Sequence, residues 1–140
     1  MDRPSWDAYF MKIAKQVARR STCHRASVGA VVVDEKRILT TGYNGAPSGV
    51  DHCADIGCTV FEGHCQRVVH AEVNAIKQAE LYRISISGCT IYSTHSPCYK
   101  CEQALIAAGI KRIVYAHTYF DPLGVTLLEE AGVTISQQLY

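Results

Sequence analysis

The chain has 140 residues, of which 48% are hydrophobic and 19% are charged, and its formal net charge is +1. That length and apolar content suit one domain with one buried core. A charge so close to neutral argues against a protein that coats nucleic acid, because such proteins usually present a strongly basic face. The same net charge does not argue against binding of one small anionic ligand.

Two features of the sequence, its first residues and its cysteines, indicate the cellular compartment of the protein. Residues 1–7 lack the continuous apolar segment of a secretory signal, and the longest apolar run, residues 28–33, is too short to cross a bilayer. The seven cysteines are an odd, clustered set. In a reducing compartment such a set favours metal binding or catalysis over disulfides. We therefore expect a cytoplasmic protein without a membrane partner.

The first half of the chain predicts a helix and a hairpin. Apolar residues at helical spacing indicate a helix from Trp6 to Val17, with Ser5 as its N-cap. Residues 28–33 and 38–43 are typical of two strands, and the charged residues 34–37 between them predict a hairpin turn. Residues 44–68 show no helix or strand pattern, and so long a stretch in a small domain is usually functional.

The second half of the chain alternates between strand and helix patterns. We predict strands at 90–93, 112–116 and 133–136, and helices at 71–80, 99–108 and 125–131. Gly109 and Gly132 stand where helix C-terminal glycines are expected. The alternation predicts an α/β domain with helices on both faces of the sheet, a three-layer α/β/α arrangement. The hairpin makes the sheet mixed and about five-stranded, and we expect residues 1–140 to form this single domain.

Two short motifs carry ligands suited to a metal. One is His-Ala-Glu beginning at His70, and the other is Pro-Cys-Tyr-Lys-Cys beginning at Pro97, each opening a predicted helix. Cys98 and Cys101 are three residues apart, so they share a helix face, and in the first turn the helix dipole favours their thiolates. Two thiolates and the His70 imidazole leave a fourth position for water, which is typical of catalytic zinc.

Glu72 is the candidate catalytic residue at such a site. Zinc lowers the pKa of a bound water towards neutrality, and a nearby carboxylate can then carry protons between that water and a substrate. Residues two apart on a regular helix point to nearly opposite sides. His70 and Glu72 therefore converge only if the helix begins near His70, with His70 itself in non-helical geometry.

Other interpretations of these residues differ in what they leave unexplained. A Cys-x-x-Cys sequence between a strand and a helix also fits a thioredoxin-like redox motif, but His70 and Glu72 would then have no role. A structural zinc ribbon would need a second Cys-x-x-Cys pair, which the sequence lacks. A non-catalytic zinc-fold binding module is the third alternative, and it would have no need of a proton carrier at Glu72.

The motifs together resemble a known family. His-x-Glu followed by Pro-Cys-x-x-Cys is the signature of zinc nucleobase deaminases. The chain adds Ser-Thr-Cys at 21–23, Val-Gly-Ala-Val at 28–31, Thr-Gly-Tyr-Asn-Gly-Ala-Pro at 41–47 and His-Ala-Glu-Val-Asn-Ala-Ile at 70–76. Over nearly its whole length it resembles the deoxycytidylate (dCMP) deaminase family of the cytidine and deoxycytidylate zinc deaminase superfamily. The resemblance implies a cytidine-deaminase-like fold.

The resemblance also implies a reaction. It is the hydrolysis of dCMP to dUMP and ammonia, which supplies dUMP for thymidylate synthesis. By this resemblance, the zinc would supply an activated hydroxide for attack on C4 of cytosine, and Glu72 would carry a proton first to N3 and then to the departing amine. Members of the family commonly carry two basic residues where this chain has Arg25 followed by Ala26. Deamination of dCTP, or of both nucleotides, therefore stays open as an alternative.

By resemblance, four residues contact the substrate: Arg25, Asn44, Ala71 and Tyr119. Arg25 would meet the phosphate through its guanidinium, and its alternative is an ordinary solvated arginine. Asn44 would hydrogen-bond the sugar, or else hold the backbone of its own turn. Tyr119 would stack on the base or reach the phosphate.

The other cysteines and the resemblance lead to predictions about further metals and partners. Cys23, Cys53, Cys58 and Cys65 could close a second, structural zinc site, with His64 as a substitute for Cys58, and the alternative is a set of buried or idle thiols. Some deoxycytidylate deaminases are similar in carrying a second zinc here. The resemblance further implies a homohexamer, allosteric feedback by dCTP and dTTP, and magnesium bound with the allosteric nucleotide. We expect no nucleic-acid partner.

Overall fold

The computed structural model describes residues 2–23, 26–45, 60–61, 64–65, 69–118 and 127–140. Its helices are α1 (Trp6–Ala18), α2 (Ala71–Leu81) and α3 (Tyr99–Ala107), and its strands are β1 (Gly29–Asp34), β2 (Arg37–Tyr43), β3 (Val60–Phe61), β4 (His64–Cys65), β5 (Thr90–His95), β6 (Arg112–His117) and β7 (Thr134–Gln137). Residues 127–130 are also helical. None of the helices in these ranges has the length and apolarity needed to cross a bilayer.

Five of the strands form one mixed sheet in the order β2-β1-β5-β6-β7. The central strand β5 runs antiparallel to β1 and parallel to β6, and β7 runs parallel to β6. Strands β1 and β2 form an antiparallel hairpin, as a short turn allows, whereas parallel strands need a longer crossover such as the one that contains α3. The predicted mixed, five-stranded sheet is confirmed.

Both faces of this sheet are covered, because successive side chains of a strand point to opposite sides. In β1, Val31 and Val33 pack in one cluster with Phe10 of α1. Ala30 and Val32 pack in the other cluster, which includes residues of α2 and α3. The predicted three-layer α/β/α arrangement is therefore confirmed.

The ends of the elements follow local signals closely. The Ser5 side chain accepts a hydrogen bond from the Ala8 amide at 3.1 Å, which confirms it as the N-cap of α1. Gly109 and Gly132 have φ values of 88° and 73°, the left-handed geometry predicted for them. Strand β5 runs two residues beyond the predicted end, because pairing with β6 continues to His95 opposite His117.

The segment predicted to lack secondary structure, residues 44–68, contains some. Strands β3 and β4 pair antiparallel, with Val60 opposite Cys65 and Phe61 opposite His64, so the prediction is wrong there. Two-residue strands are too short to show an alternating pattern in the sequence. Residues 46–59, 62–63 and 66–68, and residues 125–126 of the last predicted helix, lie outside the described residues.

Close backbone packing fixes α2 against the sheet. A Cβ atom added at Gly42 of β2 would collide with the Ala71 carbonyl oxygen and the Ala75 amide nitrogen. Nearby, the Thr40 hydroxyl donates a hydrogen bond to the Ala75 carbonyl oxygen at 3.0 Å. The first turn of α2 is therefore held directly on β2.

Candidate metal centre and active site

Two helices begin at the candidate site. His70 is the N-cap of α2, with φ −69° and ψ 154°, and Cys98 is the N-cap of α3, with φ −73° and ψ 169°. The extended backbone at His70 confirms the predicted helix start. His70 and Glu72 therefore need not point to opposite sides, as residues two apart within a regular helix do. The placement of Cys98 inside the first helical turn is wrong, because its extended backbone precedes the helix. Cys101 does lie in that turn.

Three metal-ligating side chains meet between these helix starts. The Nδ1 atom of His70 lies 3.2 Å from Sγ of Cys101 and 3.5 Å from Sγ of Cys98. All three ligand atoms lie within 4.8 Å of one another, in the one such group found among the described residues. Tetrahedral zinc keeps nitrogen and sulfur ligands about 3.5–3.8 Å apart. The donor set and its spacing therefore fit zinc with a fourth position open.

The electrostatics of the two cysteines are unequal. A hydrogen bond from the Cys101 thiol lowers the pKa of Cys98 to about 3, and the contact with His70 acts in the same direction. That hydrogen bond to Cys98, together with burial, raises the pKa of Cys101. The contact with Cys98 also raises the pKa of His70. Because a metal binds cysteine as the thiolate, metal binding to this thiolate–thiol pair would release the proton of the thiol.

Glu72 lies beside these ligands with 3% of its surface exposed. The Ser93 hydroxyl donates a hydrogen bond to its Oε1 atom at 2.8 Å. Burial raises the pKa of Glu72, while hydrogen bonds with Ser93 and Cys101 partly oppose that rise. A carboxyl group with a raised pKa is suited to taking up and releasing protons near neutral pH.

Ser93 is a residue of the described part of the site that the motifs in the sequence did not indicate. Its signal is a serine in a strand two residues after Ile91, on the face that packs against α2 and α3. A polar residue on an apolar strand face needs a buried hydrogen-bond partner. That signal shows that a partner exists and does not show which residue it is.

Of the residues assigned to the substrate by resemblance, Asn44 and Ala71 are described. Asn44 is 6% exposed, its Oδ1 accepts from the Val28 amide at 2.8 Å, and its Nδ2 donates to the Ala26 carbonyl at 2.7 Å. These bonds hold the backbone of a neighbouring segment and not that of its own turn. Ala71 is fully buried as the first residue of α2.

Two of the substrate-contact predictions and much of the second zinc site lie outside the described residues. These positions are Arg25, Tyr119, Cys53 and Cys58. Cys23 is partly buried in the segment after α1. Cys65 belongs to β4, next to His64. The second zinc stays a prediction.

Comparison with known proteins identifies the family. The family model described as "Cytidine and deoxycytidylate deaminase zinc-binding region" matches residues 4–117. The chain belongs to this deaminase family. The match spans His70, Glu72, Cys98 and Cys101, so the zinc-binding deaminase predicted by resemblance is confirmed as the family. A thioredoxin-like redox protein is thereby excluded.

The chain is also similar to individual proteins, one of which is named a deoxycytidylate deaminase. It is 47% identical over 138 residues to ComE operon protein 2 of Bacillus subtilis (strain 168), covering 98% of this chain and 73% of that protein. It is 42% identical over 126 residues to the deoxycytidylate deaminase of Mycobacterium phage D29, and the match covers 82% of this chain and 97% of that protein.

A solved structure also matches this deaminase over nearly its whole length. The dCMP deaminase of cyanophage S-TIM5, in complex with dCMP and dUMP, superposes with a TM-score of 0.85 at 33% identity. The match covers 99% of this chain and 100% of that one. The predicted cytidine-deaminase-like fold is confirmed.

Proposed function

We propose that residues 1–140 form one cytoplasmic, zinc-dependent deaminase domain that hydrolyses dCMP to dUMP and ammonia. The observation that carries this proposal is the meeting of His70, Cys98 and Cys101 beside the buried carboxyl group of Glu72. The match to a dCMP deaminase structure that holds both dCMP and dUMP supports the same substrate and product.

In this mechanism, Nδ1 of His70 and the Sγ atoms of Cys98 and Cys101 would hold zinc. When bound, zinc supplies an activated water for attack on C4 of cytosine. Glu72 accepts the proton of the attacking water and donates it to N3 of the base. Glu72 next transfers the second proton of that water to the amino group at C4, which leaves as ammonia. Water and dCMP are thereby converted to dUMP and ammonia with every proton accounted for.

The substrate is tested by measuring ammonia release from deoxycytidine, dCMP, dCDP and dCTP and from the matching ribonucleotides. We expect the highest kcat/KM with dCMP. A higher value with dCTP would favour the triphosphate alternative, and rapid turnover of unphosphorylated nucleosides alone would overturn a nucleotide substrate. No turnover by zinc-loaded protein would favour the non-catalytic binding module.

We further propose that Arg25, Asn44, Ala71 and Tyr119 contact the nucleotide. The position of Asn44 supports this, because the next residue, Gly45, forms a β-bridge with Val69 immediately before His70. The end of β2 therefore lies beside the start of α2.

The phosphate contact gives the sharpest test of this nucleotide site. Arg25→Ala should raise KM for dCMP much more than KM for deoxycytidine, because the guanidinium would bond to phosphate oxygens. Arg20→Ala, which removes an exposed arginine at the end of α1, is the matched control and should change neither KM. Equal effects of the two substitutions would contradict the phosphate role of Arg25.

A second, structural zinc held by Cys23, Cys53, Cys58 and Cys65 is also proposed. Its support is the clustering of these cysteines outside the catalytic motif. Native mass spectrometry should count two zinc ions per chain, and Cys53→Ser should lose one while Glu72→Gln keeps both. One zinc per chain in the unmodified protein would rule out the second site.

The family resemblance supports a proposal about assembly and regulation. We propose a homohexamer whose activity is regulated by dCTP and dTTP, with magnesium bound to the allosteric nucleotide. Light scattering should give the mass of six chains, and initial rates with dCMP should change when magnesium–dTTP or magnesium–dCTP is added. A monomer, or rates unaffected by either nucleotide, would contradict this proposal.

A further inference from the structure

Ser93 stands at the centre of the sheet. It belongs to β5, where it pairs with Ala30 of β1 on one side and with Tyr115 of β6 on the other. Its side chain is fully buried. Because strands hold it on both sides, the Ser93 backbone is a rigid anchor for its hydroxyl group.

The hydroxyl of Ser93 reaches one oxygen of the Glu72 carboxylate, donating to Oε1 at 2.8 Å. The last torsion of a glutamate side chain has a broad, weakly restricted distribution. A donor held against Oε1 restricts that torsion and therefore sets the direction in which Oε2 points. The carboxylate also bonds with Cys101, but a thiolate that binds metal has no proton to donate.

We propose that Ser93 is a positioning residue that holds the Glu72 carboxylate in the orientation required for proton transfer. The inference rests on the proposed function, because the orientation of the Glu72 carboxylate affects turnover only if Glu72 transfers protons. Proton transfer requires donor and acceptor within hydrogen-bond reach and in line. A carboxylate that rotates away spends less time in that geometry, so turnover falls while substrate affinity is retained.

The test compares substitutions at Ser93 in the zinc-loaded enzyme. Ser93→Ala should lower kcat for dCMP by about ten- to hundredfold with little change in KM, as expected for loss of a hydrogen bond to a charged group. Ser93→Thr and Ser93→Val have nearly the same shape, and threonine alone keeps a hydroxyl. The threonine variant should therefore have a much higher kcat than the valine variant.

Thr40→Val is the matched structural control. The Thr40 hydroxyl also donates to α2, at the Ala75 carbonyl, and is buried, but it does not contact Glu72. Thr40→Val keeps the shape of the side chain, so it should lower the melting temperature and change kcat much less than Ser93→Val does. Zinc content per chain should be the same in all variants.

Two results would overturn the role of Ser93. One is a kcat for Ser93→Ala equal to that of the unmodified enzyme, and the other is an equal kcat for the threonine and valine variants. Failure of the proposed function is a separate result. It would appear as no deamination of dCMP by the unmodified enzyme, or as full turnover by Glu72→Gln.

Discussion

Two neighbouring residues of β5, Tyr92 and Ser93, donate hydrogen bonds from their hydroxyl groups to carboxylates on opposite faces of the sheet. The Tyr92 hydroxyl donates to Oδ1 of Asp7 at 2.6 Å, on the side of α1. The Ser93 hydroxyl donates to Oε1 of Glu72 at 2.8 Å, on the side of α2 and α3. The local pattern is the same, yet the two carboxylates differ in what else surrounds them.

Asp7 has a cation as its main partner. Arg112 donates to both of its oxygens, at 2.9 and 2.6 Å, and this pairing lowers the pKa of Asp7. Glu72 is more deeply buried, and that burial raises its pKa. A carboxylate paired with arginine stays ionised and holds the fold together, whereas a buried one bonded by a hydroxyl and a thiol is able to exchange protons.

The largest expected effect comes from removing the carboxylate on the α2 side. Glu72→Gln keeps the shape of the side chain but cannot accept a proton, so kcat for dCMP should fall by about 10²–10⁴-fold. Zinc content, measured by native mass spectrometry, should be unchanged. Loss of zinc together with activity would instead indicate that Glu72 maintains the metal site.

A matched pair of glycines tests the two faces separately. A Cβ at Gly42 would collide with the backbone of α2, and one at Gly29 would collide with the backbone of α1 at Ala14 and Ala18. Each alanine substitution should lower the free energy of unfolding in urea by about 1–3 kcal/mol. Gly42→Ala alone should also lower kcat of the folded enzyme. Equal kcat losses for both would mean that α1 influences the site as strongly as α2.

Asp7→Asn should affect stability and leave kcat unchanged. Loss of the charged contacts to Arg112 should lower the free energy of unfolding by about 1–2 kcal/mol at neutral pH. The pKa of Asp7 in the folded chain lies below its ordinary value of 3.8. Its stabilisation is therefore present above pH 3.8 and is lost as the pH falls through the lowered pKa. Urea unfolding should give a smaller difference between variant and unmodified chain in acid, and a constant difference would contradict this.

The smallest effect concerns the acid limb of the pH–rate profile. Glu72 must be ionised to accept a proton, so kcat should fall as the pH drops through its pKa, which burial raises above 4.5. Ser93→Val removes a bond that lowers this pKa, so its acid limb should move to higher pH. Profiles of kcat for both enzymes check this, and a limb that moves to lower pH would contradict it.

Local signals predicted most of the fold. The apolar spacing, the Ser5 cap and the positions of Gly109 and Gly132 identified helix ends, because capping depends on a few consecutive residues. The short ribbon of β3 and β4 was missed, since two paired residues leave no periodic pattern. The extended backbone of Cys98 was also missed, because a Cys-x-x-Cys spacing fits a cap as well as a first turn.

The sequence by itself determined the chemistry that this deaminase has available. The spacing of His70, Glu72, Cys98 and Cys101 follows from what zinc and a proton carrier require, and each pair lies within one short segment. Only the tertiary structure decided which residue bonds to each carboxylate, Ser93 to Glu72 and Arg112 to Asp7. Ser93 and Glu72 are 21 residues apart, and Arg112 and Asp7 are 105 apart. Partners so distant are brought together by packing of the sheet and helices, which no local pattern records.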